Sequence, residues 1–303
     1  MEKVSVNPCV QNRLYNYNNC QIQQNAPINN VGIGFNTVGN TVTDTLNIRS
    51  KKEIQLEKLN KLFPNGGFDK LCQDINKDFG IDKPAEIKLV GDSDGIRGGG
   101  FTFEKNEITL SLGDLLDSDT KIVGIKNGKR TVLVSPIVKL PLFVDKKSAE
   151  EFVKMQSQNG NLGFDQLIAE PVTENEQRKF ITQKVSHEII HSQQHMIIRK
   201  TEGMGEKEII KAWTHEKPKN LIENYILNLK TENLFNKSYW KNQPKTEQQI
   251  KKDSPAGYLA KTWLEAIRNY PPVDSPEYTK NPIEVDAYMR SAQYAARKYG
   301  AWS

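Results

Sequence analysis

Three of the four histidines in this 303-residue chain lie close together, in the sequence HEIIHSQQH that begins at position 187. On an α-helix, residues four apart lie on the same face, so His187 and His191 can direct two ring nitrogens at one metal ion. Glu188 lies about 100° further round the helix, where its carboxylate can accept a proton from a metal-bound water. Because zinc binds imidazole nitrogen, this spacing predicts a Zn²⁺ site with Glu188 as general base.

A catalytic zinc ion usually has three protein ligands and one water, so the two histidines require a partner. His195 follows His187 by ~12 Å along a regular helix axis, which is too far for both residues to bind one ion. His215 and Glu284 are the candidates from later parts of the chain. We favour Glu284, because two histidines and one glutamate form a common catalytic zinc site.

Glu284 has a second interpretation that involves no metal. It lies in the sequence NPIEVDA, where Asn281 fits the N-cap of a helix and Pro282 fits its first residue. The glutamate then falls at the third helical position, where its side chain can close a capping box. Both interpretations predict a helix that begins near residue 281.

Residues 185–195 and the later motif N-P-x-E-x-x-A at 281–287 resemble the HExxH zinc metallopeptidases, the zincins, and among them the gluzincin-like branch. These two motifs carry the resemblance, over a layout of roughly residues 85–300. It implies a zincin-like fold, in which the helix with both histidines packs beneath a small sheet. It also implies a peptidase that hydrolyses a peptide or protein substrate with a zinc-activated water.

Hydrolysis at such a site also needs a donor that stabilises the oxyanion of the reaction, and His195, His215 and Tyr288 are the candidates. The resemblance further implies an edge strand along which an extended substrate aligns, at Ile108, Thr109 and Leu110.

Two departures from related patterns limit the resemblance. The metzincin pattern requires glycine at 194 and histidine at 197, and the presence of Gln194 and Ile197 excludes that arrangement. The thermolysin-type second motif has aspartate where this chain has Tyr288, while Asp286 comes two residues earlier. The sequence therefore assigns no partner that orients the ligand histidines.

The chain is expected to be an α+β protein, with a small antiparallel or mixed sheet packed on a mainly helical C-terminal half. Residues 1–48 are rich in asparagine and glutamine and form a predicted irregular arm. Residues 49–303 form the predicted zincin-like domain, with helices and the sheet in 49–145 and the helical part with the metal site in 146–303.

Local patterns predict the elements of this domain. Helical periodicity and breakers predict helices near residues 51–63, 68–79, 147–157, 173–201, 205–213, 218–230, 254–269 and 281–299. Alternating apolar residues predict strands at 85–90, 98–103, 108–112, 121–125 and 131–134, the last four as two hairpins. The second hairpin has Asn127-Gly128 at its turn.

Composition argues against several classes of protein. The 42 basic and 37 acidic residues are well mixed, so no nucleic-acid partner is expected. No apolar run approaches ~18 residues and the N-terminus has no apolar signal core, so we expect no membrane span and a cytoplasmic location or non-classical export. The three cysteines do not form a disulfide framework, and Cys72 is predicted as a small core residue.

A non-enzymatic function is the alternative. The chain would then be a binding or assembly protein with a structural zinc site, or a degenerate zincin fold without metal. A structural site is closed by a fourth protein ligand, whereas a catalytic site keeps one position for water.

Overall fold

The structure is a computed structural model that describes residues 50–91, 99–102, 105–135, 140–203, 255–271, 275 and 277–302. Contacts divide the chain into two units, Met1–Ser50 and Lys51–Ser303, and the helices and strands of the described residues all belong to the second. The predicted arm, the predicted helices near 205–213 and 218–230, and His215 lie outside the described residues.

The first sheet has three strands and follows two helices, α1 (Lys51–Leu62) and α2 (Gly67–Asp78). Its strands are β1 (Glu86–Val90), β2 (Gly99–Thr102) and β3 (Glu107–Ser111), in the order β1-β3-β2. β1 is parallel to β3, and β2 is antiparallel to it. The predicted hairpin of β2 and β3 is therefore confirmed, and the sheet is mixed.

The second sheet is antiparallel and follows a short helix, α3 (Leu112–Leu116). Its central strand β4 (Thr120–Lys126) pairs with β5 (Lys129–Val132), β6 (Phe143–Val144) and β7 (Gln166–Pro171). The predicted β4–β5 hairpin is confirmed. Asn127 and Gly128 at its turn have φ angles of 51° and 74°, the left-handed region that a two-residue hairpin turn requires.

Four longer helices make up most of the rest of the described chain: α4 (Lys146–Ser157), α5 (Glu174–Glu202), α6 (Pro255–Arg268) and α7 (Pro282–Tyr299). Thr173 is the N-cap of α5, and its side chain closes a capping box with Glu176. Gly203 is the C-cap of this helix and has a left-handed backbone with φ of 64°. A short 3₁₀ turn, Tyr278–Lys280, leads into α7.

The helix α5 contributes to three apolar clusters. Ile181, Val185 and Ile189 recur every four residues and pack with α1, α2, α3 and β3. Further along, Ile197 and Ile198 pack with α6 and with the start of α7. Near its beginning, Phe180 packs against the second sheet. The HExxH residues lie on α5 between the first two of these clusters, and packing on both sides fixes this part of the helix.

The structure confirms the α+β class and differs from the sequence prediction in its strands. β6 and β7 were not predicted, because their pairing with β4 depends on distant residues and not on a local pattern. Ile108, Thr109 and Leu110 lie on β3, the central strand, so they do not form an edge. This corrects the expected substrate edge strand, because both sides of β3 are already paired. No helix in the described ranges combines the length and apolar character needed to cross a bilayer.

Candidate metal centre

Side chains of α5 and α7 meet in a triangle of ligand atoms. His187 Nε2 lies 3.1 Å from His191 Nε2. The two carboxylate oxygens of Glu284 lie 3.3 Å from His187 Nε2 and 3.4 Å from His191 Nε2. Ligands that bind one ion at ~2 Å with tetrahedral angles lie about 3–4 Å apart. The three residues therefore fit a zinc ion in both chemistry and spacing.

The position of Glu284 is set by the beginning of α7. Asn281 caps this helix by accepting a hydrogen bond from Ile283 N at 3.1 Å, and Pro282 is its first residue. The amide of Asn281 also donates to Ala266 O in α6 at 3.1 Å. This cap ties the beginning of α7 to α6 and directs Glu284 towards the histidines of α5. The carboxylate faces the imidazoles, so the capping-box interpretation does not describe it.

The carboxyl group of Glu284 is 1% exposed and is compensated by the histidines. Burial alone would raise its pKa, but the charge of His191 and hydrogen bonds from both imidazoles hold that pKa well below its usual range. Burial lowers the pKa of His191, and the Glu284 carboxylate outweighs this and raises it to about 9. In the metal-free protein the pair is therefore an imidazolium and a carboxylate.

Gln194 orients the ring of His191. Its side-chain oxygen Oε1 lies 2.8 Å from His191 Nδ1 and accepts the proton of that nitrogen. When His191 loses its second proton, its lone pair then lies on Nε2, the atom that faces His187 and Glu284. Gln194 thus supplies the orienting partner that the sequence left unassigned.

A buried polar network holds the Gln194 amide in turn. Its Nε2 donates to Ile283 O at 2.9 Å and to Asp286 Oδ2 at 2.7 Å. Arg290 Nη1 donates to the same Asp286 oxygen at 3.3 Å, and its other terminal nitrogen donates to Gln193. Asp286 is fully buried, and Arg290 is 3% exposed. The aspartate that comes two residues before the expected motif position therefore reaches His191 through an intervening amide.

Glu188 lies beside the triangle and is partly exposed, unlike the fully enclosed Glu284. Burial and the negative charge of Glu284 raise the pKa of its carboxyl group, and the two histidines oppose this increase. The Glu188 side chain thus keeps some exposure, and the pKa of its carboxyl group is raised above its usual value. Both properties suit a residue that takes up and releases protons.

The edge strand β2 passes directly over Glu188. A Cβ atom on Gly99 would lie 3.0 Å from Glu188 Oε1 and 3.1 Å from Leu110 Cδ2. The absence of a side chain at Gly99 is what allows the strand to approach this closely. Two residues on, the ring of Phe101 lies 5.2 Å from the ring of His195. Among the described strands, β2 pairs with β3 on one side alone, and its other side faces away from the sheet.

Two tyrosines at the centre were not predicted from the sequence. Tyr270, just after α6, donates a hydrogen bond from its hydroxyl to Glu284 Oε1. Tyr278, in the 3₁₀ turn before α7, donates to Tyr270. Burial and the Glu284 charge raise the pKa of both phenols, so each keeps its proton at neutral pH. Neither residue lies in a motif, and no local signal marks either of them.

The candidates for an oxyanion donor have different surroundings. The ring of Tyr288 lies 4.3 Å from that of His187 and covers it. His195 lies two turns beyond His187 and outside the ligand triangle of the described residues. Burial, together with the positive charges of His191 and Arg199, lowers the pKa of His195 to about 3, so its imidazole is neutral.

Helix geometry offered a signal for Gln194 that the sequence prediction did not use. Residues three apart on a helix are neighbours, so Gln194 was a candidate partner of His191 from spacing alone. The two tyrosines both lie in the connection between α6 and α7, far along the chain from the histidines, so no spacing rule links them to α5. Comparisons of the chain with protein-family models, with curated proteins and with solved structures give no match.

Proposed function

We propose that this chain is a zinc-dependent peptidase with a zincin-like arrangement, in which His187, His191 and Glu284 hold Zn²⁺. The observation that carries the proposal is the triangle of ligand atoms, whose measured sides are 3.1 to 3.4 Å. Two imidazoles and one carboxylate are a ligand set of catalytic zinc sites, which keep a further position for water. The described residues offer this three-ligand group and no fourth protein ligand within it.

The residues around the triangle have distinct roles in peptide hydrolysis. A zinc ion there would lower the pKa of a bound water towards ~7 and polarise the scissile carbonyl. Glu188 accepts the proton that this water loses and passes it to the leaving amine.

The edge of the first sheet suits an extended peptide as substrate. Among the described strands β2 pairs with β3 alone, so a peptide that adds to its other side would pass beside Glu188. Main-chain hydrogen bonds of this kind give affinity for peptides of many sequences. The substrate strand is therefore proposed to lie beside Gly99–Thr102 and not beside Ile108–Leu110.

The test uses the full chain and its Glu188→Gln variant. We expect about one zinc ion per chain in both, measured by elemental analysis. We expect hydrolysis of a diverse fluorogenic peptide library by the wild type, with a rate that falls about 10²–10⁴-fold in the variant.

A second carboxylate on the same helix provides the control. Glu174 lies in the first turn of α5 and its side chain is 78% exposed, so Glu174→Gln should keep wild-type activity. A Glu188→Gln protein that holds zinc and hydrolyses peptides at the wild-type rate would refute the mechanism. A wild-type chain without zinc, or with a zinc ion that has four protein ligands, would refute the catalytic site.

A further inference from the structure

The two oxygens of Glu284 have different partners. Oε1 lies 3.4 Å from His191 Nε2 and in addition accepts the hydroxyl proton of Tyr270. Oε2 lies 3.3 Å from His187 Nε2 and is fully buried. A carboxylate can bind zinc through one oxygen or through both, and the number of oxygens used determines how many positions are left for water and substrate. The difference between the two oxygens therefore affects how many metal positions remain for water and substrate.

The hydrogen bond to Oε1 is supported by a second phenol. Tyr278 donates to the Tyr270 oxygen, and the two rings meet edge to face with centroids 5.7 Å apart at 88°. Tyr270 can then donate in one direction, towards Glu284. A hydroxyl that donates to an ionised carboxylate forms one of the stronger hydrogen bonds in proteins, and a donor to the first hydroxyl strengthens it further.

The pair is fixed to the same elements as Glu284. Tyr270 follows α6, Tyr278 precedes α7, and the Asn281 amide joins the two helices at Ala266 O. Glu284 and the two phenols therefore belong to the junction of α6 and α7, whereas the two histidines belong to α5. An oxygen that already accepts a hydrogen bond from a phenol is a weaker metal ligand than the carboxylate oxygen that has no phenol beside it.

We propose that Tyr270, supported by Tyr278, makes Glu284 a one-oxygen ligand through Oε2 and so keeps a metal position open for water and substrate. The inference rests on the proposed zinc site. Tyr270 acts here as a positioning residue, because it contacts the ligand and not the reacting atoms. Without its hydroxyl, both carboxylate oxygens are free to bind the ion.

The experiment compares wild type with Tyr270→Phe after zinc is replaced by Co²⁺, whose visible spectrum reports coordination number. We expect metal to stay bound in the variant and its Co²⁺ absorption to weaken and shift, as a fifth ligand atom requires. Orienting partners of this kind affect activity by about 10–100-fold. We expect a fall in kcat within that range for a peptide found in the library screen, with KM nearly unchanged.

Tyr294→Phe is the matched control. Tyr294 also lies on α7, but its hydroxyl donates to Asp78 at 2.8 Å, away from Glu284. Its removal should leave the Co²⁺ spectrum and kcat as in the wild type. Tyr278→Phe keeps the Tyr270 hydroxyl and removes its support, so we expect a smaller shift in the same direction.

The outcomes separate this inference from the proposed function. A wild-type chain that binds no metal refutes the function itself. A wild type that binds metal, with Tyr270→Phe indistinguishable from Tyr294→Phe in spectrum and kcat, refutes the role of the phenol alone. If Tyr270→Phe does not fold, an unchanged spectrum in Tyr278→Phe refutes it equally.

Discussion

At the scale of single residues, the centre uses an amide where a carboxylate would be a stronger hydrogen-bond acceptor. Gln194 accepts the proton of His191 Nδ1 at 2.8 Å, and the negative charge of Asp286 lies one hydrogen bond further away. A neutral acceptor fixes the orientation of the ring but raises its basicity less than an adjacent carboxylate does. The charge that controls His191 therefore comes mainly from Glu284, on the metal side of the ring.

The first prediction follows from the pKa of His191. In the metal-free protein Glu284 raises that pKa to about 9, and an imidazolium cannot bind a metal. The apparent affinity for zinc should therefore increase with pH, about tenfold per unit between pH 6 and 8, and level off above about 9. Competition with a chromophoric chelator measures this slope.

Calorimetry in buffers of different ionisation enthalpy provides an independent check. It should show about one proton released per zinc ion at pH 7.

The stability of the metal-free protein depends on pH in the opposite direction to the zinc affinity. Because the folded pKa of His191 is raised, its pairing with Glu284 stabilises the fold fully below the unfolded value of about 6.5, and this stabilisation is lost as pH rises through about 9. A zinc affinity independent of pH would contradict the assignment of the pair.

The candidate site residues that the sequence predicted lie in short sequence motifs, whereas those it missed reach the site only through contacts between distant parts of the chain. His187, Glu188 and His191 belong to one helical turn, so local spacing identified them. Glu284 was proposed from a capping sequence and from zinc ligand chemistry, and the structure places it beside the histidines. Tyr270 has a role solely through a contact that folding creates, and local spacing contains no information about it.

At the scale of elements, Glu188 of the candidate site lies where the edge strand β2 packs against the helix α5. The approach of β2 to Glu188 depends on Gly99, since a Cβ there would lie 3.0 Å from Glu188 Oε1 and 3.2 Å from its Cγ. The neighbouring Gly100 has nothing within 4 Å of its Cβ position. One glycine is thus required by packing and the other is not.

The second prediction compares alanine at these two positions. Gly99→Ala should displace the Glu188 carboxylate by a few tenths of an ångström and reduce kcat about tenfold, since small misplacements of a catalytic group are costly. Gly100→Ala should leave kcat close to that of the wild type. Steady-state kinetics with one peptide substrate measures both, and circular dichroism checks the fold. Equal kcat values for the two variants would mean that β2 does not constrain Glu188.

Strand order shows the limit of prediction at this scale. The hairpin of β2 and β3 follows from two alternating segments around a short turn, and it was predicted correctly. Which side of that hairpin is exposed depends on β1, which adds to β3 in parallel from earlier in the chain. Parallel pairing needs no adjacent turn, so the sequence did not reveal that β3 is central.

At the scale of the whole molecule, α5 joins separate apolar clusters, and the candidate metal centre lies between two of them. One cluster contains the first sheet with α1, α2 and α3, and the other contains α6 and the start of α7. His187 and His191 lie on α5, which contributes residues to both clusters. Glu284 lies at the start of α7, next to the second cluster. An ion held by the three residues would therefore link α7 to α5 directly.

The third prediction concerns metal removal. A ligand that binds only the folded state at a free concentration a thousand times its Kd stabilises that state by about 4 kcal/mol. For a domain of this size that corresponds to a rise in Tm of roughly 10 °C. Differential scanning fluorimetry with zinc and with a chelator measures the difference. The shift should vanish in His191→Ala, and a wild-type Tm unchanged by zinc would contradict a site that spans α5 and α7.

The separation of the ligands along the chain also governs when the centre can form during synthesis. The HExxH segment emerges first, and a loop of about a hundred residues must close before Glu284 reaches it. Until α7 has been made and has docked, the chain carries His187, Glu188 and His191 without Glu284. The ligand triangle is therefore completed by a late long-range contact, and the proposed hydrolytic activity would begin there.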